Sequence, residues 1–230
     1  MAIGLDLHPP GAHQTAGPLM KFDSAGFPFV AIAALPSAVA LWLHAPAIAA
    51  VLALLPLGIL LFFRDPDRLS PQNPDVVLSP ADGRVMHAGP ANPDEAPPGE
   101  WKQVTIFLSV LDVHINRTPV PGRIAKVDYH PGTFLPAYRH DSHKNERSEI
   151  WIDHAGVTIV VRQVVGLLAR RVVCRLKPGQ FVQPGERIGL MKFGSRMDVF
   201  VPASSRLQVR VGEQVTAGVT VIASLEPAAK

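Results

Sequence analysis

From Phe27 to Phe63 the chain runs for 37 residues without a side chain charged at neutral pH, protonation of His44 apart. A surface helix of a soluble domain needs a polar face, and this stretch has none. A helix rises about 1.5 Å per residue and the hydrocarbon core of a bilayer is about 30 Å thick, so roughly 20 residues cross it. The run therefore holds either one long tilted helix or two short apolar segments broken around His44-Ala45-Pro46. Pro36, Pro46 and Pro56 each lack a backbone donor and tend to kink or end a helix, which favours two short helices inserted as a hairpin or shallow pair. A buried core hairpin of a soluble domain is the competing reading.

The flanks give this segment a direction. Only Lys21 precedes it, whereas Arg64-Asp65-Pro66-Asp67-Arg68 follows it directly. The positive-inside tendency puts the Arg64 side, and the long C-terminal part with it, in the cytoplasm at the inner membrane. Residues 1–26 read as a disordered lead-in, with no basic region followed by one short apolar core that would mark a cleaved signal peptide. Against 22 Lys and Arg stand 19 Asp and Glu, and the excess of +3 is not gathered into a dense run. That argues against a nucleic-acid partner and fits an anionic membrane surface better. A single cysteine, Cys174, excludes an internal disulfide framework and a cysteine-rich zinc site, and no metal site is expected.

From Val76 onward the texture changes. Gln103–Leu108, Arg123–Tyr129, Val157–Val165, Arg171–Leu176, Met197–Val201 and Leu207–Val211 are rich in β-branched residues and read as strands. Polar loops are expected over 88–100 and 131–149. The Pro178-Gly179 and Pro184-Gly185 pairs read as type II turns whose glycine takes positive φ. No strand–helix alternation points to a parallel sheet. Residues 64–230 are therefore expected to form a mainly β domain, a small closed sandwich like a barrel-sandwich hybrid, behind the helical segment of residues 27–63.

Four islands carry chemistry. Asp82 lies in the turn Ser79-Pro80-Ala81-Asp82-Gly83, His114 follows the apolar strand Phe107-Leu108-Ser109, and Asn145-Glu146-Arg147 sits in a polar loop. Near the C-terminus Gly194-Ser195 joins a glycine of wide backbone freedom to a hydroxyl nucleophile that needs an activating neighbour. Each has a bland reading: a turn signal, a satisfied histidine, a solvated charged loop, an ordinary turn. Their joint order behind an apolar segment is what carries information.

Together with the Arg64-Asp65-Pro66 exit, these residues resemble the phosphatidylserine decarboxylase family in its short form, from about Arg64 to the end of the chain. The resemblance implies a self-processing proenzyme. Ser195 would attack the Gly194 carbonyl, the resulting ester would eliminate, and position 195 would become a covalent pyruvoyl cofactor. A β chain of residues 1–194 and an α chain of residues 195–230 would stay together. The substrate implied is phosphatidylserine, held as a Schiff base while carbon dioxide leaves, with a membrane lipid surface as the partner; whether copies of the chain associate is left open. The resemblance makes Ser195, His114 and Asp82 the catalytic residues and Gly194-Ser195 the cleavage site. Arg64, Arg68 and Arg139 offer a basic rim for the lipid phosphate.

Two departures and one rival stand beside this. In Asp112-Val113-His114-Ile115-Asn116-Arg117, Arg117 occupies the place of the second histidine of longer family members, and an arginine is not a general base. Either His114 serves both steps, or Asp82 acts more directly, or Arg117 only stabilises charge. Phe193-Gly194-Ser195-Arg196 also departs from the Leu-Gly-Ser-Thr of longer members. The rival is a biotinyl or lipoyl carrier, which Pro184-Gly185-Glu186-Arg187-Ile188-Gly189-Leu190-Met191-Lys192 resembles, with Lys192 as the attachment site.

Overall fold

A computed structural model describes residues 20–93, 95–136, 144–166, 172–191 and 195–226, and of Ser195 the backbone only. In chain order the elements are β1 (Lys21–Phe22), α1 (Phe27–Trp42), α2 (Pro46–Leu52), α3 (Leu54–Phe62), β2 (Arg64–Asp65), β3 (Val76–Leu78), β4 (Gly83–Pro90) and β5 (Trp101–Leu108). There follow β6 (Ile115–Arg117), β7 (Gly122–His130), β8 (Arg147–His154), β9 (Val157–Val165), β10 (Val172–Cys174), β11 (Phe181–Val182), β12 (Arg187–Met191), β13 (Ser195–Pro202), β14 (Arg206–Leu207), β15 (Gln214–Val215) and β16 (Val221–Ser224).

The apolar run folds as a hairpin. Pro46 opens α2, where its missing N–H costs nothing, and Pro36 is tolerated inside α1. The reversal falls at His44, a non-glycine residue at φ 56°, and the Ser37 hydroxyl donates to the Ala49 carbonyl across the two arms at 2.9 Å. Both ends meet at one point: β1 pairs antiparallel with β2, and Asp23 N–H donates to the Phe63 carbonyl at 2.9 Å. Gly26 lies so close to Phe63 that a Cβ there would stand 2.5 Å from the ring. The two ends of the hairpin thus return to one place on the domain. Its outer surface exposes Ile32, Leu35, Val39, Trp42, Ile48, Val51, Leu54 and Leu57, so it is not a buried core hairpin.

The remainder is the expected mainly β domain. Its largest sheet has the order β11-β7-β8-β9-β13-β5-β4-β15, with every described pairing antiparallel, and it curls as a half-barrel. Alternation along β13 sends Met197, Val199 and Val201 into the main core with Val85, Val104, Ile106, Ile150, Ile152, Ile159 and Val161. The smaller sheet β10-β12-β6 contributes Ile115 and Leu190 to a second cluster with Phe62, Phe63 and Val113, which seats the hairpin on the domain.

Several expected boundaries move. Strand β4 reaches Pro90 and β8 begins at Arg147, so both polar loops are shorter than their composition indicated. The strand expected over Leu207–Val211 shrinks to β14, and Arg171 lies outside the described residues. Gly179 and Gly185 do take positive φ, at 85° and 74°.

Candidate active site

Ser195 is the first residue of β13, paired with Leu108 of β5 on one side and Val165 of β9 on the other. Beyond Leu108 the chain turns at once: Ser109 N–H donates to Asp112 Oδ2 at 2.8 Å and Asp112 N–H to the Ser109 carbonyl at 3.0 Å. This short side-chain turn brings His114 back against β12, where its carbonyl accepts from Met191 N–H at 3.4 Å. His114 thus lies beside Met191, where the connection to Ser195 begins. Gly194, Phe193 and Lys192 in that connection lie outside the described residues.

The imidazole of His114 is fully buried. Its Nδ1 lies 2.9 Å from the Asp112 carbonyl, and because a carbonyl only accepts, Nδ1 carries the hydrogen and Nε2 is the basic nitrogen. The ring of Phe62 covers it at a centroid distance of 4.1 Å. Burial lowers its pKa to about 4, against the smaller upward pull of the Asp112 carbonyl and carboxylate; Arg64 adds to the lowering and Asp82 opposes it. An unfolded histidine binds its proton at about 6.5. Protonation therefore favours the unfolded chain, and stability falls as the pH drops from about 6.5 toward 4.

Asp82 is oriented by other groups. Its carboxylate is forked by Arg68, with Nη1 to Oδ1 at 2.5 Å and Nη2 to Oδ2 at 2.7 Å, and Oδ1 also accepts from Ala217 N–H at 2.8 Å. Arg68 spends a further donor on the Ala217 carbonyl. A carboxylate with these partners holds a turn, and its field rather than a hydrogen bond is what reaches His114. The same fork takes Arg68 out of the expected basic rim. Arg64 donates to the carbonyls of Leu61 and Leu111 at the hairpin's foot, and Arg139 lies outside the described residues.

Arg117 is fastened to the exit motif. It donates to Asp65 Oδ1 at 3.0 Å, to the Pro66 carbonyl at 2.9 Å and to the Gly185 carbonyl at 3.0 Å, while Arg187 holds the other Asp65 oxygen at 2.5 Å. Gly185 is needed there for its backbone, since a Cβ would lie 1.8 Å from Ser70 Oγ. Arg196, the other departure, lies on the face of β13 opposite Met197 and pairs with Asp198 at 2.8 and 2.9 Å and with Glu95 at 3.2 Å.

Asn145 turns out to be no solvated loop residue. It is fully buried, and its Oδ1 accepts from Thr133 Oγ1 and Leu135 N–H while its Nδ2 donates to the carbonyls of Leu135 and Val165 at 2.7 and 2.9 Å. It therefore fixes the end of β9 that faces Ser195. Replacing Asn145 by Ala strands these groups in the interior and is expected to cost about 4 kcal/mol, read by urea unfolding, at roughly 1 kcal/mol for each of the bonds lost. Asn145→Asp, which turns two donors into acceptors, is expected to cost at least as much.

Sequence reasoning overlooked Phe62, Asn116 and Gln163. Gln163 Nε2 donates to Asn116 Oδ1 at 2.8 Å in a buried bridge from β9 to β6. Phe62 was hidden in the apolar run, where nothing in composition separates a lipid-facing phenylalanine from one that packs on a histidine.

Comparison with known proteins adds to this geometry. A family model described as phosphatidylserine decarboxylase matches residues 57–223. The chain is 43% identical over 205 residues to a phosphatidylserine decarboxylase proenzyme of Solibacter usitatus, covering 89% of this chain and 97% of that protein. Proenzymes of the same name from Geotalea daltonii and Burkholderia cenocepacia are 43% identical over 200 residues and 42% over 206, covering 86% and 87% of this chain and 93% and 94% of those proteins.

Proposed function

Since the chain belongs to the phosphatidylserine decarboxylase family, we propose that it is a self-processing enzyme that converts phosphatidylserine to phosphatidylethanolamine and carbon dioxide at a membrane surface. The observation that carries the reading is the dry, neutral His114 beside Met191, where the connection to Ser195 begins, at the foot of an apolar hairpin. Family membership also leaves the carrier reading, with Lys192 as its attachment site, without support.

Self-cleavage follows from these residues. Nε2 of His114 takes the Ser195 hydroxyl proton as the oxygen attacks the Gly194 carbonyl. The carbon–nitrogen bond breaks, the proton passes to the departing amine, and an ester joins the two residues. Removal of the Ser195 α-proton then expels Gly194 as a carboxylate, and the dehydroalanine left at position 195 takes up water and loses ammonia. The position suits the pyruvoyl group so formed, because the β13 backbone stays hydrogen-bonded to β5 and β9 when the bond before it is cut. That group supplies an electron sink for decarboxylation.

The chain's other residues serve the reaction by placement. Asp82 and Arg68 lock the turn before β4 to Ala217, and Asn145 holds Val165 opposite Ser195. The hairpin dips into the bilayer from one side and holds the site at headgroup level, on the cytoplasmic face by its flanking charges. The test is intact mass combined with an assay on phosphatidylserine vesicles. The expected result is two chains, residues 1–194 and residues 195–230 with a blocked first residue, and release of carbon dioxide with phosphatidylethanolamine. A single uncut chain that still decarboxylates, or a cut chain that does not, overturns the proposal.

A further inference from the structure

At the foot of the hairpin Phe62 packs against residues of the domain. It is the last residue of α3, 7% exposed, and its ring meets the His114 ring at 4.1 Å with an interplanar angle of 35°. Phe63 meets it edge to face at 5.2 Å and is itself wedged against Gly26 at the start of the hairpin. Val113, Ile115 and Leu190 close the remaining sides. The membrane segment and the candidate base therefore share one apolar cluster.

We propose that Phe62 is a positioning residue for His114: the foot of the membrane hairpin forms the lid that keeps this imidazole dry, neutral and aligned. The proposal rests on His114 being the base in the reading above. The charged groups that face His114 are the Asp112 carboxylate in its own turn, Arg64 at the start of β2 and Asp82 before β4. Asp112 and Asp82 favour the imidazolium and Arg64 disfavours it, so charge alone does not account for a neutral ring. Exclusion of water does, and the Phe62 ring is the part of that exclusion contributed by the hairpin. The consequence is that the site is complete only when the hairpin is seated.

The test uses the full-length Ser195→Ala chain, in which the titration of His114 is followed by NMR and its resonance is assigned by its loss in His114→Gln. With Phe62 present the midpoint is expected at about 4. Phe62→Ala is expected to move it up toward about 6.5, the solvated value, and Phe62→Val to move it the same way by less. In the chain that keeps Ser195 the acid limb of the self-cleavage rate then rises in step, with a loss of about tenfold near pH 5.5 and little near pH 8. A midpoint that stays put in either folded variant overturns the lid, as does a uniform slowing of self-cleavage at all pH values. If instead the parent fails to decarboxylate phosphatidylserine while the midpoint still moves, the lid stands and the substrate reading falls.

Discussion

Ser195→Ala is expected to leave one uncut chain of 230 residues with no decarboxylase activity above background. The loss is complete in kind, because on the proposed mechanism the substitution removes the nucleophile for self-cleavage and the atoms from which the cofactor is made. Enzymes commonly accelerate their reactions by about 10⁶-fold or more, and all of that would go. The fold should survive, since the ladder contacts of Ser195 with Leu108 and Val165 are made by its backbone. Intact mass reads the first consequence and a thermal melt the second. Cleavage that persists in this variant would assign the nucleophile elsewhere and remove the basis of the mechanism.

How the site is wired was only partly legible in the sequence. Strand texture was readable because alternation and β-branching are local, and β9 matches its expected range of Val157–Val165. An apolar helical segment was readable because 37 uncharged residues admit few other outcomes. Partnerships were not, because they join residues far apart in the chain. Asp82 meets Arg68 and Ala217, the latter 135 positions away, and Arg117 meets Asp65 at a separation of 52. No periodicity marks such a pair. Asn145 misled for the same reason: a polar residue among charges reads as solvated until the strand end it serves is in view.

The same contacts explain why the exit motif is so rich in charge. In Arg64-Asp65-Pro66-Asp67-Arg68, Arg64 binds carbonyls at the hairpin's foot and in the His114 turn, and Asp65 binds Arg117 and Arg187. Asp67 binds Lys21 and Arg187, and Arg68 binds Asp82. A segment that sequence alone reads as an orientation signal for the membrane is also the fastening between hairpin, turn and site. Its charges are mostly engaged by protein partners, so in the proposed reaction the lipid headgroup is met by groups other than Arg68.

The fastening has a second large consequence at Arg117. Burial works against its charged form and Asp65 works for it, and the two side chains are only 5% and 9% exposed. Breaking a buried pair by removing one partner typically costs about 3–5 kcal/mol. Arg187 still holds the other Asp65 oxygen, which places Arg117→Ala at the low end, about 3 kcal/mol. Arg117→Lys should recover little, because one ammonium cannot reach Asp65, Pro66 and Gly185 in the geometry of the guanidinium fork. Removing Asp65 as well should cost less than the sum of the two single changes, and the difference read from denaturant unfolding measures their coupling. Self-cleavage at a temperature where the variant stays folded is expected to reach completion, since Arg117 is turned toward the exit motif. Cleavage that stalls in Arg117→Ala while stability is unchanged would put Arg117 in the cleavage machinery and reverse its assignment.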